Sequence, residues 1–192
     1  MLSGYGKKVP AEEISKRISS FQEMLVRDGM DGALIVQSAD LVYFTGIFQS
    51  SFLYIPAQGE PLLMVRRSFK AAKEVSPLER IIPVKSVKQV PGMIQEYGYG
   101  RIDSLGIEMD VIPAVMYFNL QKTFSGVKLL DCSTQIRQLR AVKSTYELEL
   151  LQDACATADR VFSSIPDFLH PGKKEVEVAA ELEARFRKEE HQ

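Results

Sequence analysis

Tryptophan is missing from this 192-residue chain, and cysteine and histidine occur only twice each. Two cysteines, Cys132 and Cys155, without a secretory leader do not build a disulfide framework. They read as two small buried thiols of a reducing compartment. A serine triad needs an oriented histidine with a carboxylate partner, and neither His170, in a turn before Pro171-Gly172, nor His191 is flagged as one. Charge of one sign is also lacking. Lys and Arg number 24 against 25 Asp and Glu, a net charge of −1, so no basic surplus attracts a phosphate backbone and no nucleic-acid partner is expected. No apolar run approaches the ~20 residues of a membrane helix. The start, MLSGYGKKVP, has no apolar core of a signal peptide, and a cytoplasmic protein is expected. What remains is ordinary globular composition, 45% hydrophobic and 26% charged, long enough to bury roughly 70% of the unfolded surface.

Ile14, Ile18, Phe21 and Leu25 draw one apolar stripe and predict a first helix. Pro10 suits its first turn, Glu12 and Glu13 its positive end, and Gly29 its left-handed close. Ala33-Leu34-Ile35-Val36 is a short, wholly apolar run, typical of a strand buried on both faces. Phe52–Ile55 and Leu62–Val65 flank a loop with Gly59 and two prolines and predict an antiparallel hairpin. A short helix over Ser68–Val75 follows, then a strand at Ile81–Val84 whose Pro83 suits an edge. An irregular helix over Val87–Tyr97, strands at Leu105–Ile107 and Val127–Leu130, and a helix between them complete the alternation. The fold class this implies is α/β, a mixed sheet flanked by helices.

Near residue 140 the style changes, and no further strand is predicted. Ser144 and Glu147 form a capping box, behind which Leu148, Leu151, Cys155, Ala158, Phe162 and Ile165 step by 3 or 4. A second helix over about 173–190 carries Val178, Leu182 and Phe186. Two such helices bury little against each other, so residues 1–141 read as one domain and 142–192 as the opening of a second.

Chemistry is sparse. Gly4-Tyr5-Gly6 and Gly98-Tyr99-Gly100 do not follow an apolar strand into a helix, so no dinucleotide fingerprint is present. Asp103, Glu108 and Asp110, without histidine, read as a solvated strand end rather than a metal site. Arg66-Arg67 after a strand reads as a surface pair or an anion-binding face.

Several segments together resemble a known family. Asp31-Gly32-Ala33-Leu34-Ile35-Val36 followed by Leu41-Val42-Tyr43-Phe44-Thr45-Gly46 is similar to the "gxDgxlixxxxnxxYlTGf" segment of the creatinase/prolidase/Xaa-Pro aminopeptidase superfamily. The hairpin into Arg66-Arg67 matches its next segment, and Gly106-Ile107-Glu108 its "iGxE" strand. Residues 131–148 look like its "ixxlRxiKsxxEi" junction, and Pro171-Gly172, Glu175 and Glu177-Val178 its "pGxtExel" helix start. Asp40 stands near where the family often has Asn. The resemblance implies an RNase H-like N-terminal domain, then the first two helices of a truncated "pita-bread" metallopeptidase domain.

It further implies a metal-dependent Xaa-Pro peptidase (aminopeptidase P- or prolidase-like), cytoplasmic and a homodimer, acting on proline-containing peptides. Two divalent ions (Mn, Co or Zn) would be held by two Asp, a His and two Glu downstream of residue 192. No catalytic or metal-binding residue is therefore expected within these residues, and the stretch alone is expected to be inactive. Its role would be to limit substrate access and to form dimers. The candidates for substrate access are Tyr43, Phe48, Gln49 and Arg66, the turn 47–51 being taken to lie between two strands. Two other readings stay open: a non-catalytic peptide- or protein-binding module, and a creatinase-type amidinohydrolase acting on a small-molecule C–N bond.

Overall fold

The strand sequences alternate along each strand between two apolar faces, and that alternation builds the architecture. The computed structural model describes residues 8–189, and the chain divides into two compact units, Met1–Ala141 and Val142–Gln192. The first unit carries six strands: β1 Gly32–Ile35, β2 Ser51–Pro56, β3 Leu62–Val65, β4 Ile81–Pro83, β5 Ser104–Ile107 and β6 Lys128–Asp131. Their order is β4-β3-β2-β1-β5-β6. The β2–β3 hairpin is antiparallel, as is the β1–β2 pair, while β1–β5, β5–β6 and β3–β4 are parallel. Pro83 lies on the edge strand β4, where its missing N–H leaves no ladder bond unmade.

Six helices flank the sheet: α1 Ala11–Arg27, α2 Ser38–Thr45, α3 Phe69–Val75, α4 Val90–Glu96, α5 Ala114–Thr123 and α6 Ser133–Ala141. On one face Ala33, Ile35, Leu53, Ile55, Leu63 and Val65 pack with Ile14, Ile18, Phe21 and Leu25 of α1, Leu41 and Phe44 of α2, and Ile136 of α6. On the other, Leu34, Phe52, Tyr54, Leu62, Met64, Leu105 and Ile107 pack with Val90 and Ile94 of α4 and Leu120 of α5. Period-two alternation thus sends successive side chains to opposite cores. Gly32 is required by close approach. A Cβ there would lie 2.7 Å from the Tyr54 ring and hydroxyl.

Two helices escape the sequence reading. Helix α2 occupies residues 38–45, for which the sequence predicts no element, so the turn 47–51 runs from a helix into β2 and not between two strands. The helix is opened by the Gln37 side chain accepting from Asp40 N at 2.9 Å and closed by left-handed Gly46 at φ 72°. Helix α6 occupies the junction segment after β6.

The second unit contains α7 Thr145–Ser163 and α8 Glu175–Lys188. The capping box forms as expected: Glu147 N donates to Ser144 Oγ at 3.1 Å, and Ser144 N donates to Glu147 Oε2 at 2.9 Å. Within the unit Phe162 meets Phe186 edge-on at 5.9 Å, and Arg185 lies 4.6 Å over Phe168. Cys155 corrects an expectation. It is exposed, whereas Cys132 is buried, because α7 turns much of its apolar face outward. Gly4-Tyr5-Gly6 and His191 lie outside the described residues, and His170 is exposed.

Candidate functional site

In a sheet of this kind ligands meet the carboxyl ends of the parallel strands. That end here carries the segments after β1, β3 and β5 and the one entering β2. Arg66 N donates to Ser50 O at 2.8 Å, which draws Arg66 beside the 47–50 segment. The Arg66 guanidinium lies 5.8 Å from the Phe52 ring centroid. Phe48 is 71% exposed, and Arg66 and Arg67 are exposed with it. Gln49 is half-buried, and its Oε1 is buried with no donor among the described residues. Phe48 and Arg66 therefore present one rim with an aromatic face and a cation, and Gln49 stands half-buried between them in sequence.

Tyr43 has a different setting. Arg17 lies 4.1 Å over its ring and donates to its carbonyl at 2.8 Å. Arg17 is itself paired with Glu13 at 3.0 Å. Arg140 lies 5.9 Å from the same ring, and Phe44 meets it edge-on at 5.1 Å. The ring thus ties α2 to α1 and α6.

Behind it lies a polar cluster that the sequence reading missed. Glu108 is 1% exposed, which corrects its assignment to a solvated strand end. Its Oε2 accepts from Val36 N at 2.7 Å and Gln37 N at 3.1 Å. Asp40, also buried, accepts from Arg140 Nη1 at 2.6 Å. Burial pushes the Glu108 carboxyl up to about 8, with the neighbouring Asp40 adding and the two amides opposing. Burial likewise pushes the Cys132 thiol up, reinforced by Glu108, Asp131 and Asp40. Asp103 stays at the surface with Arg101, and Asp110 pairs with Arg137 at 2.9 Å. No local signal marks Glu108, because the amides it binds lie 71 and 72 residues away in sequence.

Among the described residues no group of three or more His, Cys, Asp or Glu side chains could hold a metal ion. The described residues do not fit the implied dinuclear centre. No helix among the described residues is long and apolar enough to cross a membrane.

The Creatinase/Prolidase N-terminal domain family matches residues 17–142. The chain belongs to that family. Among the relatives of this creatinase/prolidase N-terminal domain, the "Uncharacterized peptidase YqhT" of Bacillus subtilis is 26% identical over 89% of the chain and 48% of its own length. The Xaa-Pro dipeptidase of Pyrococcus horikoshii is 26% identical over 88% of the chain and 47% of its own length. The solved Xaa-Pro dipeptidase from Bacillus anthracis superposes with a TM-score of 0.82 at 23% identity, covering 92% of this chain and 49% of that one. The creatinase/prolidase chain therefore spans about half the length of the curated relatives it matches.

Proposed function

We propose that this chain is the N-terminal part of a metal-dependent Xaa-Pro peptidase, and that its first unit limits which peptides reach a catalytic cleft contributed by further polypeptide. Residues 142–192 are then the first two helices of that catalytic domain, and a second copy of the chain is the partner in a cytoplasmic homodimer. The observation that supports this most is the match to an Xaa-Pro dipeptidase across 88% of this chain but only 47% of the relative.

The rim supplies chemistry suited to such a substrate. The exposed Phe48 ring offers a face to a proline ring, and aromatic contacts of this kind are worth on the order of 1 kcal/mol beyond their area. Arg66 can pair with a peptide carboxylate, and Gln49 stands half-buried beside Phe48 with its Oε1 turned away from solvent. Tyr43 acts behind them as a positioning residue, through the helix that leads into the rim.

The test compares the 192-residue chain with the product of the longer reading frame. Both are assayed on Xaa-Pro dipeptides and longer Xaa-Pro peptides with Mn or Co, and metal uptake is followed by calorimetry. The longer protein is expected to cleave, and the 192-residue chain to bind neither metal tightly and to cleave nothing. Cleavage by the short chain overturns the proposal. So does a longer protein that binds proline peptides without cutting them, or that cuts a guanidino C–N bond instead.

A further inference from the structure

Glu108 leaves the end of β5 with its carboxyl turned inward, and only one of its two oxygens is satisfied by hydrogen bonds. Oε2 takes the Val36 and Gln37 amides. Oε1 is buried and meets no donor among the described residues. The group within hydrogen-bonding reach of Glu108 is another carboxyl, that of Asp40, which is 6% exposed. Asp40 Oδ1 already accepts from Arg140. Two buried carboxylates in contact repel each other, and a buried anionic oxygen without a donor carries its full desolvation cost. One proton removes both penalties. A protonated Glu108 donates from Oε1, and Asp40 accepts while keeping Arg140.

The surrounding groups do not replace that proton. From α6, Arg140 is engaged at Asp40, with its side chain 45% exposed. Cys132, just before α6, is a buried thiol whose ionisation the Glu108, Asp131 and Asp40 charges oppose. Asp131 of β6 is anionic and engaged by the Ser133 hydroxyl and amide and by Met109 N. Arg137 serves Asp110. From α1, Arg17 serves Glu13 and the Tyr43 carbonyl.

We propose that Glu108 and Asp40 share a single proton that fastens the β1–α2 turn to the C-terminal end of α6, a latch that opens as pH rises. The fastening runs from the Val36 and Gln37 amides through Glu108 and Asp40 to Arg140, one residue from the end of the first unit. It stands independently of the peptidase reading.

The direction of the pH effect is fixed by which state holds the proton. Between the ordinary glutamate value of 4.5 and the folded value of about 8, the folded chain keeps a proton that the unfolded chain releases. The contribution to stability is complete below that window and is lost as pH rises through it. For one proton the slope reaches at most about tenfold in the folding constant per pH unit.

The experiment is urea unfolding of the 192-residue chain from pH 5 to 9, alongside Glu108→Gln. The Gln carbonyl keeps the two backbone amides, and its NH2 serves Asp40 at every pH. The wild-type chain is expected to lose stability toward pH 8 with a slope approaching the one-proton limit, and Glu108→Gln to stay flat across that window. Identical slopes in the two proteins overturn the latch. A carbon-detected titration of the Glu108 carboxyl in the wild-type chain decides the matter even if the variant fails to fold. A midpoint well above 4.5 supports the shared proton, and an ordinary midpoint overturns it. In Asp40→Asn that midpoint is expected to fall by at least one pH unit; an unchanged midpoint means that burial alone holds the proton, and the sharing is then wrong.

Discussion

Helices α1 and α7 carry apolar residues at the same helical spacing, and their faces meet opposite fates. In α1, Ile14, Ile18, Phe21 and Leu25 are all at most 6% exposed. In α7, Leu148, Leu151 and Phe162 are 49%, 49% and 53% exposed, and Val161 is the buried member of that helix. The stripe is the same statement in both helices: one face lowers its free energy by leaving water. What differs is the cover. Strands β1, β2 and β3 and helices α2 and α6 close over α1, whereas the unit containing α7 offers one further helix and a short turn. Periodicity therefore reports a demand for a partner surface and is silent on where that surface is.

The sharpest way to break this comparison is to truncate one residue from each stripe. Phe21→Ala should cost about 3–5 kcal/mol, the usual range for emptying a closed aromatic site. Leu151→Ala should stay within about 0.5 kcal/mol, as surface changes do. Urea denaturation of both variants reads the contrast. A Leu151→Ala cost comparable to that of Phe21→Ala would mean that the α7 face is covered in solution.

A smaller effect probes the covered side from within. Gly32→Ala places a methyl 2.7 Å from atoms of the Tyr54 ring, and the overpacking should cost about 1–3 kcal/mol. A neutral outcome would show a looser core behind β1 than the burial of Tyr54 implies. The smallest stability effect belongs to the rim. Phe48→Ala should change unfolding free energy by less than about 0.5 kcal/mol. In the longer protein assayed on an Xaa-Pro peptide it should raise KM about five- to tenfold with kcat unchanged, as when binding is lost equally from ground and transition states. A drop of several degrees in Tm with KM unaltered would place Phe48 among the packed residues instead.

Strands β1, β2 and β3 were legible because each carries an apolar run and is buried along its whole length, and burial on two faces demands such a run. The capping box at Ser144 and the edge position of Pro83 were legible for local reasons as well. Helix α2 was not. Leu41, Phe44, Thr45 and Asp40 are all buried, so the segment shows no amphipathic period, and its opening cap is Gln37 rather than a short polar residue. Glu108 and Asp40 were illegible for a different reason: their partners Val36, Gln37 and Arg140 lie far off in sequence, and only the fold brings them together. Of the rim, Phe48 and Arg66 stood out as residue types, but their meeting through Ser50 depends on the β2–β3 register.

The order β4-β3-β2-β1-β5-β6 also governs how the chain behaves in a crowd. The wholly apolar stretches Phe52–Ile55 and Leu62–Val65 are sealed on interior strands with both ladders filled. The outer strands are poor templates for a stranger. Strand β4 has three residues and ends in a proline that donates nothing, and β6 has four, begun by a lysine and ended by an aspartate. Short, charged or proline-bearing borders are how β-sheets discourage edge-to-edge growth. The six-stranded sheet therefore offers little at either edge from which a fibril could be seeded.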